Sequence, residues 1–138
     1  MTLFSKIEEI IKDAKKGKMF ILVDDEDREN EGDLVVAAEK ITPEIVNFMV
    51  THAKGLVSIQ MLSERLKELQ LPAMVQDNTA PLSTAFTISV DAVKDVSTGI
   101  SAQDRSNTVK ALIDEKTNAQ DLATVSYTHL TLPTILLV

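Results

Sequence analysis

The segment "MFILVDDEDRENEGDLVVAAE", from Met19 to Glu39, carries the most informative pattern of this sequence. Its first five residues are all apolar, and such a short continuous run predicts a strand buried on both faces. The last seven residues, "DLVVAAE", resume strand character. Between the two strands, residues 24–33 hold seven carboxylates and a single cation, Arg28. We therefore expect an exposed, mobile acidic loop between two strands, since like charges repel one another.

The acidic segment is open to several interpretations. It could be a solvated turn, a disordered acidic run, or a site that a cation fills. A calcium-binding EF-hand loop does not fit, because a loop that begins at Asp27 places Ala38 at the twelfth position, where a glutamate is required. Its position directly after a strand favours a ligand site, since α/β proteins bind ligands at strand ends. Carboxylates there would suit Mg²⁺, which prefers oxygen ligands.

Composition and charge exclude several classes of protein. A chain of 138 residues fits one domain. The net charge is −7, and the acidic segment contributes −6 of it, so no basic stripe is left for nucleic acid. The absence of cysteine excludes disulfides and thiolate chemistry and makes a cytoplasmic location the default expectation. No apolar run is long enough for a membrane span, and the N-terminus lacks the pattern of a signal peptide.

Helices and strands are mixed along the rest of the chain. The pattern predicts a helix over residues 5–18, with Ser5 and Glu8 as a capping box and Gly17 at its end. A second helix is predicted from an N-cap at Thr42 to about Lys54, stopped by Gly55. Further helices are predicted at residues 63–71 and 101–115, and strands at residues 56–62 and 84–92. The expected fold class is α+β, a single domain of mixed α/β layers.

Three details of this pattern predict burial or binding. In residues 84–92, Phe86, Ile88 and Val90 alternate with polar residues, which predicts a half-buried strand. His52 shares the apparent apolar face of its helix with Ile45 and Phe48, which favours a core histidine over a catalytic one. The segment "STGISAQDRSNT", residues 97–108, leads into a helix N-terminus, which is either a phosphate site or, more commonly, an ordinary capped start.

The motifs "DDEDRENEGDL", "LPAMVQDNT", "TAFTISVDA" and "STGISAQDR" together resemble the 3,4-dihydroxy-2-butanone 4-phosphate synthases of riboflavin biosynthesis. The resemblance covers residues 4 to 121. It implies a lyase that converts ribulose 5-phosphate to 3,4-dihydroxy-2-butanone 4-phosphate and formate, in a homodimer, with Mg²⁺ or in its place Mn²⁺ as cofactor. It also offers an answer to the crowding of carboxylates, because the family uses them to hold magnesium against a sugar phosphate.

The resemblance assigns roles to three residues. Arg28 and Glu29 match the substrate-contacting pair of the family, and Glu29 matches its magnesium-binding glutamate. Asp33 matches an aspartate that contacts substrate, which makes it the candidate catalytic group for proton transfer. Ser58 departs from the pattern, because many bacterial members have cysteine there.

The resemblance ends near Asp121, so we expect a truncated synthase domain at residues 1–121 that is inactive by itself. The family continues with "PGHxFPL" and "GHTEA" segments, which the printed sequence does not contain. Residues 122–138 carry no charge and are expected to be a foreign tail, or else a buried terminal strand; from residue 130 on, poor packing is expected. The rival function is a non-catalytic acidic module that binds divalent cations or a partner.

Overall fold

The computed structural model describes residues 4–125 and the backbone of residues 134–137. The elements in chain order are α1 (Ile7–Lys15), β1 (Phe20–Val23), β2 (Gly32–Val35), α2 (Pro43–His52), β3 (Ile59–Leu62), α3 (Ser63–Glu68), β4 (Ser89–Ala92), α4 (Ala102–Ile113), β5 (Leu122–Val125) and β6 (Thr134–Leu137). Among the described residues, the strands form three two-stranded sheets, β1–β2, β3–β6 and β4–β5. The predicted α+β class is confirmed. The chain divides into two compact units, residues 1–41 and 42–138.

Helix α1 begins later than the sequence predicts. Its N-cap position is Lys6, where no side chain caps the helix, so the predicted capping box of Ser5 and Glu8 is wrong. Ser5 lies one residue outside the cap position, from which its hydroxyl does not serve the first turn. The predicted end is confirmed, because Gly17 follows the helix with φ of +78°. A side chain at Gly17 would also lie about 3.1 Å from the Lys40 side chain.

Strands β1 and β2 form an antiparallel hairpin in which Phe20 lies opposite Val35 and Val23 opposite Gly32. The prediction that β1 is buried on both faces is wrong, because Ile21, Leu22 and Val23 are all exposed. Among the described residues, β1 is hydrogen-bonded to β2 alone. A two-stranded hairpin has too few neighbours to cover both faces of a strand.

Helix α2 starts where the sequence predicts. The Thr42 Oγ1 atom accepts a hydrogen bond from the backbone N–H of Ile45 at 3.3 Å, and Pro43 occupies the first helical position. The helix ends at His52, and Lys54 adopts a φ of +60°, so the chain turns one residue before the predicted stop at Gly55. Helix α4 packs against α2 and β4. The buried core of the second unit contains Val46, Leu66, Leu69, Val90, Val109 and Leu112.

Strand β4 pairs antiparallel with β5, and Ser89 lies opposite Val125. The predicted half-buried alternation is wrong, because Thr87 and Ser89 are as buried as Val90. Successive residues of this segment are buried, so both of its faces are covered. Small hydroxyl side chains can be buried when hydrogen-bonded, as the Thr87 Oγ1 atom is to the carbonyl of Ile88 at 3.0 Å.

Strand β3 pairs in parallel with β6, and Ile59 lies opposite Thr134. Ile59 and Met61 are buried while Gln60 is exposed, and the strand lies within the predicted residues 56–62. The expected poor packing of residues 130–138 concerns side chains outside the described part of the chain. None of the described helices has the length and apolar character needed to cross a membrane.

Candidate functional site

The acidic loop, residues 24–31, connects β1 to β2 and is exposed over nearly all of its length. The backbone N–H of Asp24 donates to the carbonyl of Glu31 at 3.0 Å, which closes its base. Inside the loop, the carbonyl of Asp25 accepts from the N–H groups of Arg28 at 3.0 Å and Asn30 at 3.2 Å. Asn30 has a φ of +50°, a conformation that asparagine tolerates better than most residues. The predicted exposed loop between two strands is confirmed; its mobility stays a prediction.

The carboxylate of Asp24 organises this loop. Its Oδ1 atom accepts from the backbone N–H of Asp25 at 2.8 Å. Its Oδ2 atom accepts from Arg28 Nη1 at 2.6 Å and from the backbone N–H of Glu29 at 3.2 Å. The hydrogen bond from Asp25 lowers the pKa of Asp24 most, and those from Glu29 and Arg28 lower it further against an opposing effect of burial. Sequence reasoning missed Asp24, although its four-residue spacing from the only cation of the segment was a usable signal.

Arg28 and Glu29, the predicted substrate-contacting pair, are in contact. Arg28 Nη1 lies 3.2 Å from Glu29 Oε2 and bridges that carboxylate to Asp24. The hydrogen bond with Asp24 and the charges of both acids raise the pKa of Arg28 above its ordinary value. The guanidinium is therefore a permanent cation among carboxylates, which suits it to anionic or hydroxyl oxygens.

Asp33, the predicted catalytic residue, lies beside the loop rather than in it. It belongs to β2, where it faces Leu22 of β1 across the hairpin, and it is exposed. The structure thus brings Arg28 and Glu29 together on the loop and holds Asp33 on the adjoining strand, whose backbone the ladder fixes. A group on a strand is positioned more rigidly than one on a loop.

A divalent cation finds a partial ligand set here. Within residues 4–125 and 134–137, no three His, Asp or Glu side chains converge as a metal site. Glu29 presents an exposed carboxylate, a hard oxygen donor of the kind that Mg²⁺ prefers. Magnesium commonly takes one or two protein carboxylates and completes its shell with water and substrate oxygens. Glu29 therefore fits as one ligand of such an ion.

The other candidate, the N-terminus of α4, is occupied by the chain itself. The Ser101 Oγ atom accepts from the backbone N–H of Asp104 at 3.0 Å and caps the helix. The buried Asp104 carboxylate accepts from the N–H of Ser97 at 3.0 Å, from Ser97 Oγ at 2.8 Å and from the N–H of Gly99 at 3.1 Å. The Asp104 carboxylate thus accepts the hydrogen bonds that a bound anion would otherwise accept. The prediction of an ordinary capped helix start is therefore confirmed.

Asp91 approaches the same turn from β4. Gly99 has a φ of +80°, and the Asp91 carboxylate occupies the space where a Cβ atom on Gly99 would lie. Burial raises the pKa of Asp91, the charge of Asp104 raises it further, and Arg105 lowers it. Conversely, the hydrogen bond from the Ser97 N–H lowers the pKa of Asp104 most. The turn is therefore built around two carboxylates and requires glycine at position 99.

His52 is not a core residue, so that prediction is wrong. It is exposed at the end of α2, and its ring lies against that of Phe48, tilted by 46° with 4.4 Å between ring centroids. The buried side of the helix is set by Val46, whereas Phe48 is itself largely exposed. The spacing of His52 from Phe48 correctly placed the two rings on one face, but that face points to solvent.

Comparison with known proteins decides the family. The family model of 3,4-dihydroxy-2-butanone 4-phosphate synthase matches residues 8–125, which end with β5. The chain belongs to this family. The resemblance drawn from the acidic segment and its companion motifs is thereby confirmed, and the rival interpretation as a non-catalytic binding module is not favoured.

Relatives of known sequence match this chain over part of their length. The synthase of Photobacterium phosphoreum is 52% identical over 122 residues, which are 88% of this chain and 33% of that protein. The synthase of Agrobacterium fabrum is 51% identical over 119 residues, which are 86% of this chain and 56% of that protein. The chain therefore spans between a third and somewhat more than half of these relatives.

Solved structures share the fold. A 3,4-dihydroxy-2-butanone 4-phosphate synthase in complex with two magnesium ions superposes with a TM-score of 0.91 at 36% identity. The match covers 98% of this chain and 61% of that one. The fold of the described elements is thus that of the corresponding part of a synthase.

Proposed function

We propose that this chain is part of a carbon–carbon lyase of riboflavin biosynthesis, which converts D-ribulose 5-phosphate to 3,4-dihydroxy-2-butanone 4-phosphate and formate. The five carbons of the substrate are divided between a four-carbon product and formate, so no further co-reactant is needed. The observation that carries the proposal is the Arg28–Glu29 contact on the acidic loop, inside the segment that matches the synthase family.

Each of the three site residues has a role in this proposal. Arg28, a permanent cation held by Asp24, binds substrate oxygens. Glu29 contacts substrate and donates one carboxylate to Mg²⁺, or to Mn²⁺ in its place. When bound, the metal polarises sugar oxygens and so acidifies the adjacent C–H bond. Asp33, on β2, accepts or returns the proton at that carbon.

The 138-residue chain by itself is proposed to be inactive. Glu29 and water ligands alone would hold Mg²⁺ weakly, because such an ion is usually anchored by substrate oxygens as well. Nothing in the acidic loop offers a second cation to fix a phosphate, and an unanchored sugar is poorly oriented for proton transfer. We propose that the part of a synthase outside these residues supplies the missing contacts.

The remaining assignments follow the family. We propose a homodimer in the cytoplasm whose ligand is a small sugar phosphate, without nucleic acid or membrane as a partner. The domain assignment, with residues 1–121 as synthase and 122–138 as a foreign tail, is likewise a proposal. Strand β5 begins at Leu122 and pairs with β4, which favours extending the synthase part through residue 125.

The test uses a chain that we call the joined chain: residues 1–125 followed by the part of the Agrobacterium fabrum synthase that lies beyond its aligned segment. Glu29→Gln in the joined chain should lower formate release from ribulose 5-phosphate by about a thousandfold, because several kcal/mol of metal-derived stabilisation is lost. Formate is measured enzymatically as a function of Mg²⁺ concentration.

Glu26→Gln is the matched control, since it makes the same change of charge at another exposed position of the same loop. Its rate should stay within about threefold of the parent, as for most surface substitutions. A Glu29→Gln variant that keeps full activity would overturn the metal assignment, and equal losses in both variants would reduce it to an effect of loop charge.

A further inference from the structure

A cleft of about 420 Å³ lies in the second unit, between the end of β4, the C-terminal half of α4 and the segment that leads into β5. Its volume is in the range of small-molecule sites. The residues of the proposed catalytic site all belong to the other unit, residues 1–41, so the proposed function does not use this cleft. The charged side chains that line it are three lysines and three aspartates: Lys94, Lys110, Lys116, Asp95, Asp114 and Asp121.

The lysines of the cleft are poorly neutralised by the protein itself. Lys94 is paired only loosely, because its Nζ atom lies 3.6 Å from Asp121 Oδ1 and its side chain is 81% exposed. Within the described part of the chain, Lys110 and Lys116 form no ion pair. Ammonium groups that line one cleft repel one another, and an anion bound between them would relieve this repulsion.

The aspartates offer hydrogen-bond acceptors beside these cations. Asp114 Oδ1 accepts from the backbone N–H of Lys116 at 2.9 Å. Asp121 Oδ2 accepts from the backbone N–H of Asn118 at 3.1 Å. Each bond uses only part of the acceptor capacity of a carboxylate, which has two oxygens with two lone pairs each. The lining therefore combines cations for an anionic group with acceptors for hydroxyl groups.

The walls of the cleft are held by side chains that bond to distant backbone. The Arg65 side chain, which is only 20% exposed, donates from Nη2 to the carbonyls of Asp114 at 2.7 Å and Thr117 at 3.0 Å. On the other wall, Asn107 Nδ2 donates to the carbonyl of Asp95 at 2.6 Å. Backbone that is already fixed loses little entropy when a ligand binds, so the cleft is preorganised.

We propose that this cleft binds a small phosphate ester that carries hydroxyl groups. Lysine binds phosphate as a point charge, so Lys94, Lys110 and Lys116 would surround the phosphate group. The hydroxyl groups of the ester would donate to the carboxylates of Asp95 and Asp114. The site is separate from the acidic loop, and the proposal does not depend on the catalytic roles assigned there.

The test is an NMR titration of the isotope-labelled 138-residue chain with glycerol 3-phosphate, which is neither substrate nor product of the proposed reaction. The backbone N–H signals of Asp95, Lys116 and Thr117 should shift until they saturate. Glycerol and inorganic phosphate each make only part of the proposed contacts, so each should bind at least about tenfold more weakly. The same titration of the joined chain checks that the cleft stays accessible there.

Lysine substitutions assign the binding to the cleft. Lys110→Gln combined with Lys116→Gln should weaken the binding of glycerol 3-phosphate by at least about tenfold, because two of its three cationic partners are lost. Lys12→Gln combined with Lys15→Gln is the matched control, since it removes the same charge from exposed helical positions of the other unit. Its affinity should stay within about twofold of the parent, because distant charges are screened by salt.

Several results would overturn the proposal. Shifts confined to the acidic loop, or saturation in neither chain, would show that the cleft takes no such ligand. Equal affinity for inorganic phosphate would show an adventitious ion only, and equal weakening in both pairs of variants would show an effect of overall charge. If the Lys110 and Lys116 variant does not fold, Lys94→Gln at its exposed position replaces it and should weaken binding by about threefold. Loss of formate release in the joined chain would instead concern the proposed function alone.

Discussion

At the residue scale, the carboxylate of Asp24 is the centre of the hydrogen bonds within the acidic loop. Asp24 accepts hydrogen bonds from Arg28 and from the backbone of Glu29, and so holds the proposed substrate-binding pair. The contact of Arg28 with Glu29 could be foreseen, because the two are neighbours in sequence and opposite in charge. The role of Asp24 could not be foreseen from charge alone, since seven carboxylates look alike until the backbone turn selects one.

The contacts of the buried Asp104 side chain could not be predicted from the sequence either. A sequence with Ser101 and Asp104 at a helix start predicts a cap, but it does not show that the Asp104 side chain bends back to bind Ser97 and Gly99. That contact depends on the left-handed conformation of Gly99, which brings its N–H toward the carboxylate. The long-range neighbour Asp91 was invisible in the sequence because it comes from another element.

Asp104→Asn should lower the free energy of unfolding by about 1–3 kcal/mol at neutral pH, because one amide oxygen replaces two charged acceptor atoms. The pKa of Asp104 is lowered from 3.8, so its stabilisation is fully present above pH 3.8 and is lost as the pH falls through the folded value. The difference between parent and variant should therefore shrink as the pH falls below 3.8. Urea unfolding at neutral pH and at a series of pH values below 3.8 measures it.

Asp95→Asn is the control for this prediction. Asp95 is exposed and has a φ of +59°, which asparagine tolerates, so its loss of charge should change the free energy of unfolding by less than about 0.5 kcal/mol. A difference for Asp104→Asn that persists unchanged at low pH would contradict a role of the charge.

At the scale of elements, helix starts were predictable where a real cap exists. Thr42 and Ser101 both cap their helices through their hydroxyl oxygens, as their sequences indicate. Ser5 matches the same pattern three residues before a glutamate, yet the helix begins beyond it. The pattern identifies residues able to cap, whereas the first turn itself depends on packing that the sequence does not display.

Thr42→Ala should lower the free energy of unfolding by about 1 kcal/mol, because the N–H of Ile45 loses its acceptor at the start of α2. Chemical denaturation monitored by far-ultraviolet circular dichroism measures the change. Ser5→Ala is the matched control and should have no measurable effect. A loss of stability in Ser5→Ala equal to that in Thr42→Ala would show that the first helix is capped after all.

Strand existence was predictable, whereas strand burial was not. The apolar run at β1 correctly indicates a strand, but Ile21, Leu22 and Val23 are exposed, and among the described residues the strand pairs with β2 alone. In β4 the sequence instead predicts too little burial, since Ser89 was expected on an exposed face and is buried next to Val90. The pattern of polar and apolar residues indicates which environment each side chain prefers. Whether that side chain is buried depends on the elements that pack against its strand.

At the scale of the whole molecule, the proposed chemistry rests on one short segment of the residues 8–125 that match the synthase family. The acidic loop together with Asp33 carries six of the seven net negative charges, and it joins the two strands of the β1–β2 hairpin. All three proposed site residues thus belong to one unit, residues 1–41. This chain spans 33% of the Photobacterium phosphoreum synthase and 56% of the Agrobacterium fabrum synthase, so the proposed site would be completed by the remainder of such a protein.

The most direct test of this account measures formate released from ribulose 5-phosphate and Mg²⁺ by the 138-residue chain and by the joined chain under identical conditions. We predict formate at background for the 138-residue chain, because Glu29 alone neither holds the metal firmly nor anchors the sugar phosphate. We predict turnover for the joined chain. Formate release by the 138-residue chain at the rate of the joined chain would contradict the account.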